Sequence, residues 1–319
     1  MDLSVIVVNY NTRELVLECL ASLRAETTGI EYEVLVVDND SPDGSAAAIR
    51  ERFPDLDLIE PGANLGFAEA NNLASERARG EWVLLLNPDT VVLDGAVHKL
   101  LAFARKSAQP GIFGGRTLFA DLSLNPSSCW GRITPWSAFC EGTGLSWIFK
   151  GTRLFDPESL GSWPRDSVRE VDIVSGCFFL LRRRDWEALG GFRSKVFPMY
   201  GEEADLCLRA RALGLRGFIT PDATIVHLGG ASERVRADKF VRLFLARTRL
   251  VREHWPARLV PFGLWMARSR VAMRAVAATL IARLAPNEGR EERARVWREI
   301  RARRGEWLQP SPPVPAAAA

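Results

Sequence analysis

Val83-Leu84-Leu85-Leu86-Asn87-Pro88-Asp89-Thr90 decides the fold. Four apolar residues run unbroken and stop at a turn-forming triplet, the pattern of a strand buried on both faces. Pro88 has no N–H for a ladder, so the strand ends there. Asp89 therefore stands at the carboxyl end of a central strand, the edge where open α/β sheets bind ligands. A carboxylate at that edge suits a divalent cation held against a diphosphate, because hard cations take oxygen ligands. A turn aspartate capping the next helix is the plain alternative, and this stretch alone does not separate the two.

The residues upstream repeat the pattern. Residues 3–9 read as a β-branched, apolar first strand, followed by the loop Asn9-Tyr10-Asn11-Thr12. Thr12 is placed to cap a helix through about residue 24, with Leu15, Cys19, Leu20 and Leu23 on one face. A second strand over 32–37 runs into Asp38-Asn39-Asp40-Ser41-Pro42-Asp43-Gly44-Ser45, which is dense in turn formers. A helix over 45–52, a short strand over 56–60 and a helix opened by Asn64-Leu65-Gly66-Phe67 lead to the central strand. Strand and helix alternate, which predicts a mostly parallel, doubly wound α/β sheet with helices on both faces. Right-handed crossovers put its strand-end loops on one edge. Those loops carry Asn9, Tyr10, Asp38, Asn39, Asp43, Asn64, Gly66 and Asp89. The loop after the first strand has no glycine, and no GxxxxGK[ST] occurs, so neither dinucleotide nor P-loop chemistry fits. Amides and carboxylates instead suit a nucleobase and ribose, with a metal carrying the diphosphate.

Downstream, a helix over 95–105 precedes an irregular stretch, 111–167, that holds Trp130, Trp136, Trp147 and Trp163. An aromatic-rich loop of that kind can stack on a sugar, reach a lipid interface or simply pack. Residues 171–181 read as another buried strand, and 185–189 as a short helix stopped by Gly190-Gly191. Glu202, Glu203 and Asp205 open the next helix. Acids in a first turn satisfy the helix dipole, but crowded carboxylates also raise one another's pKa, which suits a general base. His227 ends an apolar strand before Gly229-Gly230, where metal or phosphate contact competes with a purely structural role.

The 319 residues allow one large or two ordinary domains. Five cysteines, an odd number without a CxxC pair, argue against a disulfide framework or structural zinc and fit a reducing cytosol. The chain enters a strand at once, so no signal peptide is expected. Residues 231–319 hold 19 Lys+Arg against 8 Asp+Glu, whereas residues 1–230 hold 23 against 31. The basic part suits an anionic lipid surface or nucleic acid, and solvated arginine-rich helices are the plain alternative. Within it, 240–254 and 288–307 read as helices. Residues 260–284 read as an amphipathic helix lying on a membrane surface or packed on the catalytic domain, because Arg268, Arg270, Arg274 and Arg283 interrupt any span. The predicted division is 1–232, a basic helical extension over 233–309 and a disordered tail over 310–319.

Together these pieces resemble glycosyltransferase family 2, the inverting GT-A enzymes, and look closest to the rhamnosyltransferase-like branch. The resemblance is carried by Ser4-Val5-Ile6-Val7-Val8-Asn9-Tyr10-Asn11, Val37 to Ser45, Asn64 to Asn72, Leu86-Asn87-Pro88-Asp89, Ser175-Gly176-Cys177-Phe178, Gly191-Phe192, Tyr200 to Arg209, and His227, over about residues 3–232. It implies a GT-A fold with 1–232 as the catalytic domain. It implies a nucleoside-diphosphate sugar donor, dTDP- or UDP-linked, bound by Asn9, Tyr10, Asp38, Asn39, Asn64, Gly66 and Asn71. Asp89 and His227 would hold Mg²⁺ or Mn²⁺, although Asn87 and Pro88 stand where carboxylates are usual. Glu203 matches the base position, where Asp is commoner, and Glu202 and Asp205 stay open as alternatives. The implied reaction is inverting transfer of a sugar, rhamnose by family likeness, to a saccharide or lipid-linked acceptor in cell-surface polysaccharide synthesis. The implied location is the cytoplasm, at the inner face of the cell membrane, with association into a homo-oligomer left open. A nucleotidyltransferase lacks support for want of a glycine-rich basic first loop. A nucleic-acid-binding protein lacks it because the body is acidic and no nucleic-acid motif occurs, so no nucleic-acid partner is expected.

Overall fold

The computed structural model describes residues 1–229 and 236–312. The predicted boundary at 232/233 and most of the predicted disordered tail lie outside these. In chain order the strands are β1 Leu3–Asn9, β2 Tyr32–Asp38, β3 Asp57–Ile59, β4 Trp82–Leu86, β5 Thr90–Val92, β6 Gly111–Leu118, β7 Leu124–Asn125, β8 Cys129–Trp130, β9 Arg169–Val171, β10 Ile173–Val174, β11 Phe178–Arg182 and β12 Arg216–His227. The helices are α1 Arg13–Glu26, α2 Ser45–Arg52, α3 Gly66–Ser75, α4 Ala96–Lys106, α5 Pro135–Thr143, α6 Leu145–Ile148, α7 Arg183–Leu189, α8 Glu202–Ala212, α9 Arg236–His254, α10 Val260–Leu284, α11 Glu288–Ala302 and α12 Arg304–Trp307.

The main sheet runs β3-β2-β1-β4-β11-β6-β12-β5. β3, β2, β1 and β4 are mutually parallel. β11 enters antiparallel between β4 and β6, and β12 pairs parallel with β6. β4 thus has partners on both sides and all five of its residues are buried. Full burial of a large apolar side chain contributes roughly 1.5–3 kcal/mol, so a strand covered on both faces has no use for polar alternation. The register pairs Asn9 with Asp38, and Leu86 with Phe178, which aligns the ends of β1, β2 and β4 with the start of β11.

Two expectations are corrected. Residues 171–181 are not one strand: β9 pairs with β12, β10 with β8 in a separate two-stranded sheet, and β11 enters the main sheet after the Ser175-Gly176-Cys177 turn. The stretch 111–167 is not all irregular, because β6 is a central strand. Its glycines disguised it, and packing explains them. A Cβ on Gly114 would come within 2.6 Å of Val174 Cγ1, and one on Gly115 within 2.1 Å of the Ala223 carbonyl oxygen.

Contacts divide the chain into two compact units. The first comprises 1–130, 163–194 and 202–232 and contains the sheet. The second comprises 131–162, 195–201 and 233–319. Its core joins Val241 and Phe244 of α9, Val271 and Ala275 of α10, Trp297 and Ile300 of α11, and Trp307. Beside that core Arg247 is ion-paired to Glu141 at 2.6 Å and Glu158 at 2.7 Å, and Arg270 also reaches Glu141.

Replacing Gly115 by Ala should lower unfolding free energy by about 1–3 kcal/mol, the usual cost of overpacking, because the obstacle is backbone. Urea denaturation measures it, and an unchanged midpoint would mean that β12 yields freely there.

Candidate active site

At the end of β4 the chain turns through Asn87-Pro88-Asp89. The Asn87 N–H donates to the Cys177 carbonyl at 3.1 Å, and Thr90 Oγ1 donates to the Asn87 carbonyl at 2.7 Å. Beside it β12 pairs antiparallel with β5, putting His227 opposite Thr90. His227 Nε2 therefore lies 3.5 Å from Asp89 Oδ1 and 3.5 Å from Asn87 Nδ2. Its carbonyl accepts from Asn125 Nδ2 at 3.0 Å, which fixes the strand end. Burial works against charge on this imidazole, but Cys177 and Asp89 outweigh it and carry its pKa up to about 10. Burial likewise opposes charge on Asp89, and His227 holds its carboxyl below the ordinary range.

Asn87 was not among the residues singled out from sequence. Its Oδ1 is buried and makes no hydrogen bond. A buried carbonyl oxygen left unmatched costs free energy unless something polar meets it. Asp89 and His227, side by side at this edge, are an oxygen and a nitrogen of the kinds that hold Mg²⁺ or Mn²⁺. No group of three His, Cys, Asp or Glu that could hold a metal ion converges among the described residues.

The neighbouring loops hold the candidate nucleotide residues. Asn9 is fully buried; its Nδ2 donates to Asp38 Oδ2 at 2.7 Å and its Oδ1 accepts from Thr12 Oγ1 at 2.6 Å. Thr12 thus braces Asn9 and does not cap α1, its expected role. Asp38 Oδ1 accepts the Ser41 N–H, and Asn39 bridges to Leu65 and Gly66 across to the next loop. Asn71 is buried and donates to the Phe67 carbonyl within its own helix. Asn9 accordingly frames the loops, its amide nitrogen and oxygen both hydrogen-bonded within them. Tyr10, 42% exposed, and Asn64, exposed beside Gly66, face solvent.

The acidic start of α8 separates into three roles. Asp205 is fully buried, with both oxygens taken by Arg193 and a second bond from Arg209 at 2.9 Å. Arg209 also binds the Leu189 and Gly191 carbonyls at the end of α7. A carboxylate fixed between two guanidiniums is a poor base and a good structural brace. Its i,i+4 partner Arg209 was visible in the sequence, but nothing there pointed to Arg193. Glu202 is buried with Oε2 unpartnered, and burial first, then the Glu203 carboxylate, push its pKa well above the usual range. Glu203 is half-buried, its Cβ 3.8 Å from where a side chain on Gly176 would begin. Gly176 precedes Cys177, whose carbonyl holds Asn87, so the acid and the metal-ligand turn meet the same short loop.

A family model described as Glycosyl transferase family 2 matches residues 4–129. An N-acetylglucosaminyl-diphospho-decaprenol L-rhamnosyltransferase of Mycobacterium tuberculosis is 30% identical over 250 residues, 70% of this chain and 75% of that protein. The chain belongs to glycosyltransferase family 2. Rhamnosyltransferase WbbL of Escherichia coli is 27% identical over 251 residues, 76% of this chain and 90% of that one. A solved mannosyltransferase of Pyrobaculum calidifontis, in complex with GDP-Man and Mn²⁺, superposes with a TM-score of 0.58 at 20% identity, covering 96% of this chain and 86% of that one, which shows the shared fold. The family 2 protein is an inverting hexosyltransferase of the rhamnosyltransferase-like branch, takes a nucleotide-sugar donor and works in polysaccharide synthesis. The nucleotidyltransferase and nucleic-acid-binding alternatives are set aside.

Asp205→Asn should cost about 3–5 kcal/mol of unfolding free energy, since it strands two arginines on a neutral partner. Equilibrium denaturation checks this. A variant as stable as the parent yet inactive would return Asp205 to the chemistry.

Proposed function

We propose that this glycosyltransferase moves rhamnose from a dTDP- or UDP-linked donor to a hydroxyl of a lipid-linked saccharide, with Glu203 as the general base. We take the α/β unit as the catalytic domain and the helical unit as an extension serving the acceptor. The observation that carries the reading is the shared loop: the Cys177 carbonyl holds Asn87, and Gly176 beside it abuts Glu203. Base and diphosphate seat on one short segment suit an in-line displacement, in which attacking and leaving groups need fixed separation.

In this reading Tyr10 lies against the nucleobase, and Asn64 and Gly66 flank the ribose. Asp89 and His227 would hold Mg²⁺ or Mn²⁺, His227 as the neutral imidazole. Such a cation would neutralise charge as the diphosphate departs. Glu203 takes the proton of the acceptor hydroxyl, whose oxygen bonds to the anomeric carbon while the bond to the diphosphate oxygen breaks on the opposite side. One displacement inverts that centre. Burial and the neighbouring Glu203 carboxylate raise the pKa of Glu202 well above the usual range, which disfavours a second negative charge beside Glu203. The relatives' names support rhamnose as the sugar and a lipid-diphosphate-linked acceptor. A lipid-linked acceptor puts the work at the inner face of the cell membrane, and the five free, buried cysteines fit a reducing compartment.

Glu203→Gln should lower turnover of dTDP-rhamnose by about 10²–10⁴-fold, the span of general-base catalysis, with dTDP affinity unchanged. Steady-state rates and calorimetry on one preparation read both. Retained turnover would place the base elsewhere, and lost affinity would make Glu203 part of the donor seat.

A further inference from the structure

We propose that the outer face of α10, with the adjoining α6 segment, is a docking surface for a bilayer bearing anionic lipid. α10 is apolar on two opposite sides. One stripe, Gly263, Ala267, Val271, Ala275, Ala278 and Ala282, is buried in the helical unit. The other, Trp265, Met273, Val276, Leu280 and Leu284, faces solvent at 61%, 36%, 50%, 51% and 85% exposure. Ordinary amphipathic helices keep one apolar face and one polar face. A second apolar stripe about 30 Å long, at 1.5 Å per residue, is thus largely open to solvent.

The patch extends beyond one helix. Met273 Cε lies 3.5 Å from the Cβ position of Gly144, the residue from which α6 springs. α6 and the turn after it expose Trp147, Ile148, Phe149 and Leu154 at 65%, 66%, 44% and 60%. Lys150 and Arg153 are exposed among them. Charge selects the occupant. From 254 to 287 the sequence contains five arginines and no acidic residue. Arg258, Arg268 and Arg283 are exposed, Arg283 beside the end of the outer stripe. Apolar side chains with tryptophans and flanking cations match the boundary between acyl chains and anionic headgroups. A second copy of the chain is disfavoured, because an isologous pairing would set arginines against arginines. No helix among the described residues is long and apolar enough to cross a membrane, and the arginines of α10 make a span costly, so the contact is in the plane. The proposal deepens the lipid-linked acceptor reading, yet it is tested without donor, acceptor or metal and stands or falls apart from it.

The full chain is sedimented with vesicles of phosphatidylcholine alone and of phosphatidylcholine mixed with phosphatidylglycerol. It should bind the mixed vesicles, bind less as salt rises, and bind neutral ones poorly. Met273→Ser/Val276→Ser/Leu280→Ser and, separately, Arg268→Glu/Arg283→Glu should each weaken binding at least about tenfold, with circular dichroism and thermal unfolding unchanged. Equal binding by parent and variants, or no binding to mixed vesicles, overturns the proposal. A concentration-dependent dimer that the serine variant dissolves, without vesicle binding, overturns it in favour of self-association.

Discussion

A backbone hydrogen bond from the Asn87 N–H to the Cys177 carbonyl continues the β4–β11 ladder into the loops of the candidate site. It forms because β11 is inserted antiparallel beside β4, so the end of one strand meets the start of the other. On its β4 side are Asn87 and Asp89, reached by His227 from β12. On its β11 side are Ser175 and Gly176, against which Glu203 and Phe67 pack. The insertion of β11 is in turn permitted by β6, whose glycines let β11, β10 and β12 close in. A side chain at Gly115 would part the strands that align these groups.

Much of the site's rigidity lies in buried polar residues bonded to one another. Asn9 ties β1 to β2 through Asp38, and Asn39 ties that pair to the turn before α3. Asp205 gathers Arg193 and Arg209 and fixes α8 to the end of α7. These networks are buried and saturated, the condition under which polar groups rigidify a structure. Beside them lie an amide oxygen at Asn87 without a hydrogen bond and an exposed ring at Tyr10.

The sequence was legible where burial imposes a plain pattern. β1, β2 and β4 are uninterrupted apolar runs ended by turn formers, so their carboxyl-edge loops could be assigned before any contact was known. β6 was not legible, because Gly111, Gly114 and Gly115 remove the β-branched signature, and the reason they are glycine lies in strands far off in sequence. The start of β12 was hidden likewise, its register shifting between Thr220 and Thr224 around Pro221. Asp89 and His227 were legible singly, as polar residues at strand ends, while their pairing follows from β12 closing on β5. The carboxylates of α8 looked alike in sequence. Arg193, arriving from the segment before α8, marks Asp205 as a brace.

The claim on which the account rests is that Asp89 belongs to a cation-dependent diphosphate seat and is not a helix cap. The direct measurement is calorimetric titration of UDP, dTDP and GDP into the parent protein and Asp89→Asn, each with and without Mn²⁺. The account predicts tight binding of one nucleotide only with Mn²⁺, abolished in the variant while the fold persists. Binding that ignores both the metal and the substitution would contradict it.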